Sequence, residues 1–225
     1  SKVYDKKIDK RNKTERFVGK TCILGLGYGT GWKKLQHTLE TSPPGAKLTD
    51  EECQKLVKVY RESNHKVIEL WRECDQALEA LADWPKGRKP YYIGENKVLR
   101  VSKEGIQLPN ELYIYYPELE WQEEEEKKGF VYKSRRGKVG IWGGSVVENV
   151  VQALARIVIG EQIVRVNKKH RVVLTVHDAI VCVAPKEQAQ EALDFIMEEM
   201  STPPTWGQDL PITCEGGFAD NYGDC

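Results

Sequence analysis

No stretch of this sequence is apolar over the length of a membrane span, and its opening residues do not read as a signal peptide. Neither sign of charge prevails. The 34 Lys and Arg residues balance 34 Asp and Glu, so any hold on nucleic acid must come from a local patch. Six cysteines are scattered without a C-x-x-C pair, which argues against a zinc site or a disulfide scaffold and suits a reducing cytoplasm. No internal repeat is visible. No G-x-x-x-x-G-K-[ST] loop and no G-x-G-x-x-G turn can be drawn, which disfavours a P-loop nucleotidase. What remains is a globular composition, 40% hydrophobic over 225 residues, enough for one or two domains with a core.

The most informative stretch runs from Arg16 to Gly31. Read as a helix, Arg16, Lys20, Leu24 and Tyr28 recur every four residues and form one slowly turning stripe. The stripe is cationic at its start, apolar in its middle and aromatic at its end. Two fixed charges suit phosphates, Leu24 suits a sugar, and Tyr28 offers a stacking face, so a nucleoside triphosphate fits the order. An amphipathic core helix running into a glycine-rich loop accounts for the same residues. Gly25, Gly27, Gly29 and Gly31 strain the helix, at about 1 kcal/mol for each interior Gly. The helix is expected to end or distort near Gly27–Gly31, where backbone can approach another chain closely.

The pattern Arg16-x-x-x-Lys20-x-x-x-Leu24-Gly25-x-x-Tyr28-Gly29 resembles the fingers-helix motif of the DNA polymerase I family (family A), R-x-x-x-K-x-x-x-[F/Y]-G-x-x-Y-G. Leu24 stands where the aromatic is usual, as it can in bacteriophage-like members. The resemblance implies that Arg16 and Lys20 meet the incoming triphosphate and that Gly29 lies beside the DNA. Lys20 also counts among the catalytic residues.

Ser1 to Glu15 is a polar, lysine-rich lead-in. Thr41-Ser42-Pro43-Pro44-Gly45 ends the first helical region. Thr49-x-x-Glu52 is a capping box opening a long helix to about Asp83, with Leu56, Tyr60, Val67, Leu70, Trp71, Cys74, Leu78 and Leu81 on one face. Trp84-Pro85-Lys86-Gly87 stops it. Tyr91 to Gly144 then reads as a β meander of short apolar runs between turns. Its opposite charge runs, Glu123–Glu126 and Arg135-Arg136-Gly137-Lys138, read as solvated turns. The latter residues are candidates for a DNA backbone.

Ser145-x-x-Glu148 reads as a second capping box, opening a helix to roughly Arg165 with Val147, Val151, Leu154, Val158 and Ile163 buried. Asn149, Gln152 and Arg156 share another face of it. Glu-Asn-Val-Val-Gln-Ala-Leu-Ala-Arg resembles the palm helix of phage family A polymerases, which implies that Gln152 contacts the primer–template minor groove, with Asn149 and Arg156 as further DNA contacts.

Val172–Val183 places one ionisable pair, His177-Asp178, between two apolar runs and reads as a hairpin. Such a carboxylate is costly to keep ionised without a compensating cation or donor, yet Asp is also an ordinary turn residue. Val-His-Asp resembles the palm carboxylate motif His-Asp-Glu of the same family, with Ala179 in place of the Glu. The resemblance implies that Asp178 holds catalytic Mg2+ and that His177 lies near the primer end. A helix after Pro185 turns Ala189, Leu193, Ile196 and Met200 inward, and the Cys214–Asp224 tail resembles the end of phage polymerases.

The expectation is an α+β chain with helical fingers at 1–90 and part of the antiparallel-sheet palm of a right-hand polymerase at 91–225. Its implied partners are primer–template DNA, deoxynucleoside triphosphates and two Mg2+ ions, in the cytoplasm of an infected bacterium, with no membrane. The family's second metal carboxylate has no counterpart here, since Asp5, Asp9 and Glu15 lie on no apolar strand. Asp178 is then the only Mg2+ ligand in the chain. Activity is expected to need an N-terminal portion, separately encoded or part of a longer gene. The alternative is a non-catalytic nucleotide- or DNA-binding remnant, which the departures at Leu24 and Ala179 favour.

Overall fold

The computed structural model describes residues 7–124 and 127–224. Ser1, Asp5, Glu125 and Glu126, named above, lie outside them, as does the sixth cysteine, Cys225. The described residues form helices and antiparallel sheets, as an α+β chain should. By packing they fall into two units. One lies within Ser1–Gln107 and Tyr113–Val150, the other within Leu108–Leu112 and Val151–Cys225.

In the first unit, α1 (Lys13–Leu26) buries Val18, Cys22 and Leu26, spaced four apart, against Leu35 and Leu39 of α2 (Trp32–Thr41). Leu56 and Val57 of α3 (Asp50–Ser63) complete that core. The capping box of α3 forms as expected. Thr49 N–H donates to Glu52 Oε2 at 2.8 Å and Glu52 N–H to Thr49 Oγ1 at 3.2 Å, satisfying two otherwise orphaned donors.

The single helix expected from Thr49 to Asp83 is instead two, with α4 spanning His65–Ala82. Asn64 leaves the helical region (φ −125°, ψ 47°), and its side-chain amide donates to the Tyr60 carbonyl at 2.8 Å. A short polar side chain competing for backbone partners explains the break, which hydrophobic periodicity cannot register. Trp71, Cys74 and Leu78 of the predicted face are buried, and Leu81 is half-buried.

The β region is two antiparallel meanders. One runs β1 (Tyr91–Ile93), β2 (Leu99–Ser102), β3 (Gly105–Gln107) and β4 (Tyr113–Ile114), with Val101 opposite Ile106 at its fully buried centre. The other runs β5 (Glu120–Glu124), β6 (Lys127–Ser134) and β7 (Gly137–Ile141). The acidic run is therefore strand as far as Glu124 and not a solvated turn. Glu123 of the acidic run pairs with Lys128, Lys138 of the basic run pairs with Glu120, and Lys133 pairs with Glu118, which leaves Lys138 a poorer candidate for DNA. Arg135 and Arg136 do occupy a turn and are exposed.

Helix α5 (Gly143–Val166) begins two residues before Ser145, so Ser145 lies inside its first turn and is not an N-cap. The Trp142 carbonyl accepts from Ser145 and Val146 N–H, and Asp75 of α4 accepts from Gly143 N–H. In the first unit its buried residues are Val146, Val147 and Val150. Val151, expected inside, is exposed. The helix is apolar nearly all round, so spacing alone could not choose its inner face.

In the second unit, Ile157, Gln162 and Val166 are the buried residues of α5. Gln162 donates to the Met200 carbonyl at 2.6 Å. Arg165 binds the Glu199 carboxylate at 2.8 Å and the Glu199 and Thr202 carbonyls, which closes the C-terminus of α6 (Ala189–Ser201). The expected hairpin is β8 (Val172–Val176) and β9 (Ala179–Cys182). All five described cysteines are free thiols. Among the described residues no helix is long and apolar enough to cross a membrane.

Candidate nucleotide and metal sites

The burial of Val18, Cys22 and Leu26 turns the other side of α1 outward. Arg16, Lys20 and Leu24 are all exposed there, at successive i+4 steps. Leu24 is 59% exposed and Ile23 beside it 67%, so the apolar end of the stripe is an open surface and not core. Two cations one turn apart, followed by an uncovered aliphatic patch, can hold an anionic group and an apolar one at the same time.

Tyr28 is not on that helix. The last helical residue is Leu26, and a turn follows in which Tyr28 N–H donates to the Gly25 carbonyl at 3.2 Å and Gly29 N–H to the Leu26 carbonyl at 3.1 Å. Alternating glycines end the helix two residues before the tyrosine, as their backbone freedom favours. Tyr28 is half-buried and neighbours Tyr60, whose phenol is pushed above its ordinary range by burial first and by Tyr28 second.

Gly29 takes φ +78°, and the Trp142 indole fills the place of a Cβ. The sequence predicts close approach to another chain here; the structure instead places a tryptophan side chain of the same chain at this glycine. Trp71 N–H donates to the Gly27 carbonyl at 3.1 Å. The sequence placed Trp71 on a core face and Trp142 at a strand end. The signal that could have found their role was the run of glycines, which made a close neighbour necessary.

Asn149 is exposed on α5, and its amide donates to the Tyr116 hydroxyl at 3.2 Å. Burial pushes the Tyr116 phenol up to about 12, with the Asn149 bond acting in the opposite direction. Gln152 and Arg156 are exposed further along the helix, in the second unit.

His177 and Asp178 are the two loop residues of the β8–β9 hairpin, between the paired Val176 and Ala179. His177 adopts φ +54°, the positive φ that tight hairpin turns require and that non-glycine residues rarely take. Both side chains are exposed. The apolar surroundings expected to make Asp178 costly are themselves open, with Val173 50% and Leu174 45% exposed, so the carboxylate carries no burial penalty in this chain. Among the described residues no group of three or more His, Cys, Asp or Glu side chains could hold a metal ion. Asp178 offers one hard oxygen donor, which fits Mg2+ as a single ligand only.

No family model matches the chain. A protein named DNA polymerase, from Bacillus phage SP02, is 30% identical to it over 219 residues. The chain is similar to part of a phage DNA polymerase. The similarity takes in 92% of this chain and 32% of the phage polymerase, so the chain spans about a third of that relative's length.

Proposed function

We propose that this chain forms the fingers (1–90) and part of the palm (91–225) of a bacteriophage-like family A DNA polymerase. The observation that carries the reading is a likeness to a phage polymerase over 92% of the chain, in a protein whose α1 turns Arg16, Lys20 and Leu24 outward together.

In this reading Arg16 and Lys20 bind the triphosphate of an incoming deoxynucleotide. Their fixed charges offset the negative charge that builds up on the departing pyrophosphate. Leu24 packs on the sugar and Tyr28 on the base. Gln152, flanked by Asn149 and Arg156, contacts the primer–template minor groove, and His177 and Gly29 lie against the DNA. Asp178 holds Mg2+ through a carboxylate oxygen. Mg2+ bound there would supply Lewis-acid stabilisation for phosphoryl transfer. A two-ion site needs a further carboxylate, which we assign to an N-terminal polymerase portion. The chain alone is therefore expected to be inactive or nearly so.

Nucleotide binding tests the site directly. Deoxynucleotide with magnesium should protect the α1–α2 turn from proteolysis, and Arg16→Ala with Lys20→Ala should abolish that protection. Protection that survives both substitutions contradicts the assignment. A remnant that binds nucleotide without catalysis, favoured by Leu24 and Ala179, would keep the protection yet extend no primer even after an N-terminal polymerase portion is added.

A further inference from the structure

Tyr28 stands between two peptide units, each held by a different tryptophan. On its N-terminal side the Trp71 indole N–H donates to the Gly27 carbonyl at 3.1 Å. On its C-terminal side the six-membered ring of Trp142 lies where Gly29 would carry a Cβ. Gly144, in the first turn of α5, meets the same edge of that ring. The Trp142 ring thus fills a slot that exists only because both neighbours are glycine. The two indoles meet edge to face, with centroids 5.4 Å apart and planes at 68°. Trp71 is 6% exposed and forms a fixed anchor, whereas Trp142 at 39% keeps one flank open.

The segment they grip is otherwise held by its own turn hydrogen bonds, from Tyr28 and Thr30 N–H to the Gly25 carbonyl and from Gly29 N–H to the Leu26 carbonyl. Gly25, Gly27, Gly29 and Gly31 alternate through it, and glycine gives up more conformational freedom on ordering than any other residue. An aromatic side chain carried on such a turn would have to be ordered at each binding event, which weakens affinity. The geometry points to Trp71 and Trp142 as positioning residues: a clamp that fixes the peptides on either side of Tyr28 and so sets where its ring meets a bound base. This rests on the reading of α1 as the nucleotide helix. It adds two residues, from α4 and from the entry to α5, that touch no nucleotide themselves.

The test compares two ligands on the full chain by calorimetry, deoxyadenosine triphosphate and inorganic tripolyphosphate, each with magnesium. Both meet Arg16 and Lys20, but only the nucleotide meets Tyr28. Trp142→Ala should weaken the nucleotide by about fivefold, the scale of one aromatic packing contact, and leave tripolyphosphate unchanged. Trp71→Phe, which removes the N–H donor and part of the ring that packs on Trp142, should show the same pattern. Amide hydrogen exchange at Tyr28, Gly29 and Thr30 should quicken in both variants while α3 is unaltered. Equal loss of both ligands would mean that α1 has been disrupted and would overturn the clamp, as would unchanged nucleotide affinity. If the wild-type chain binds neither ligand, the nucleotide reading itself fails, and the clamp's role fails with it before any variant is compared.

Discussion

The carboxylate of Asp75 accepts a 2.5 Å hydrogen bond from the backbone N–H of Gly143, joining the middle of α4 to the first residue of α5. A helix start carries unpaired N–H donors and a partial positive charge, and an anion there satisfies both. The local capping signal at Ser145 and Glu148 falls inside the helix, so this start is set by a residue 68 positions away. Asp75→Ala should lower unfolding free energy by about 1–2 kcal/mol, measured by urea denaturation. Asp75→Asn, which keeps an acceptor without the charge, should recover part of that loss.

Gly29 and Trp142 are mutually exclusive with a larger side chain. Gly29→Ala should destabilise the chain by more than about 1 kcal/mol, because φ +78° disfavours any L side chain and the indole occupies the Cβ position. A double-mutant cycle with Trp142→Ala separates the two causes. The steric part vanishes in the double variant and the backbone part stays. Strict additivity of the two single losses would show that the indole does not press on Gly29.

Of the three-helix core, the helix that ends near the glycines and the start of α3 were legible in sequence because they follow local rules. Val18, Cys22 and Leu26 keep helical spacing, and the Thr49–Glu52 box needs only four residues to be recognised. The break at Asn64 was not legible, since it depends on a side-chain bond to the Tyr60 carbonyl within a continuous apolar pattern. The strand character of Glu120–Glu124 was hidden for another reason: its charges look solvated until lysines on β6 and β7 are placed beside them. At the candidate sites, the outward face of α1 and the His177-Asp178 turn could be read directly. The tryptophan clamp on the Tyr28 turn could not, because its members are 44 residues apart or more.

Buried thiols and a half-buried phenol set the alkaline limit of stability. Burial raises Cys74 from 9.0 to about 12 and Cys22 from 9.0 to about 11. Tyr116 rises from 10.0 to about 12. Between the unfolded and folded values the native state binds more protons than the unfolded one, so stability falls as pH rises. The decline should begin near pH 9 with the thiols, at about 1.4 kcal/mol per pH unit for each group, and steepen above 10 with Tyr116. Denaturant midpoints from pH 8 to 11 check this. Cys74→Ala should make the slope shallower even though the cavity lowers stability overall. An unchanged slope would contradict the role of Cys74.

His177 holds a positive φ that glycine adopts without strain. His177→Gly should leave the chain as stable or raise stability by up to about 1 kcal/mol, judged by thermal unfolding. If the side chain lies near a primer end, the same variant should lose activity in a polymerase that contains this chain. Gain of stability with loss of function marks a strained residue kept for its chemistry. Loss of stability would show instead that the imidazole supports the hairpin.

Primer extension is the most direct test of the central claim. It would be run with magnesium and deoxynucleotides on this chain alone, and again after adding an N-terminal polymerase portion that carries a second metal carboxylate. The account predicts extension only in the mixture, and none when Asp178→Asn replaces the wild type there. Efficient synthesis by the chain alone would contradict the need for a second carboxylate. Synthesis by the mixture that is indifferent to Asp178→Asn would contradict the metal role of Asp178.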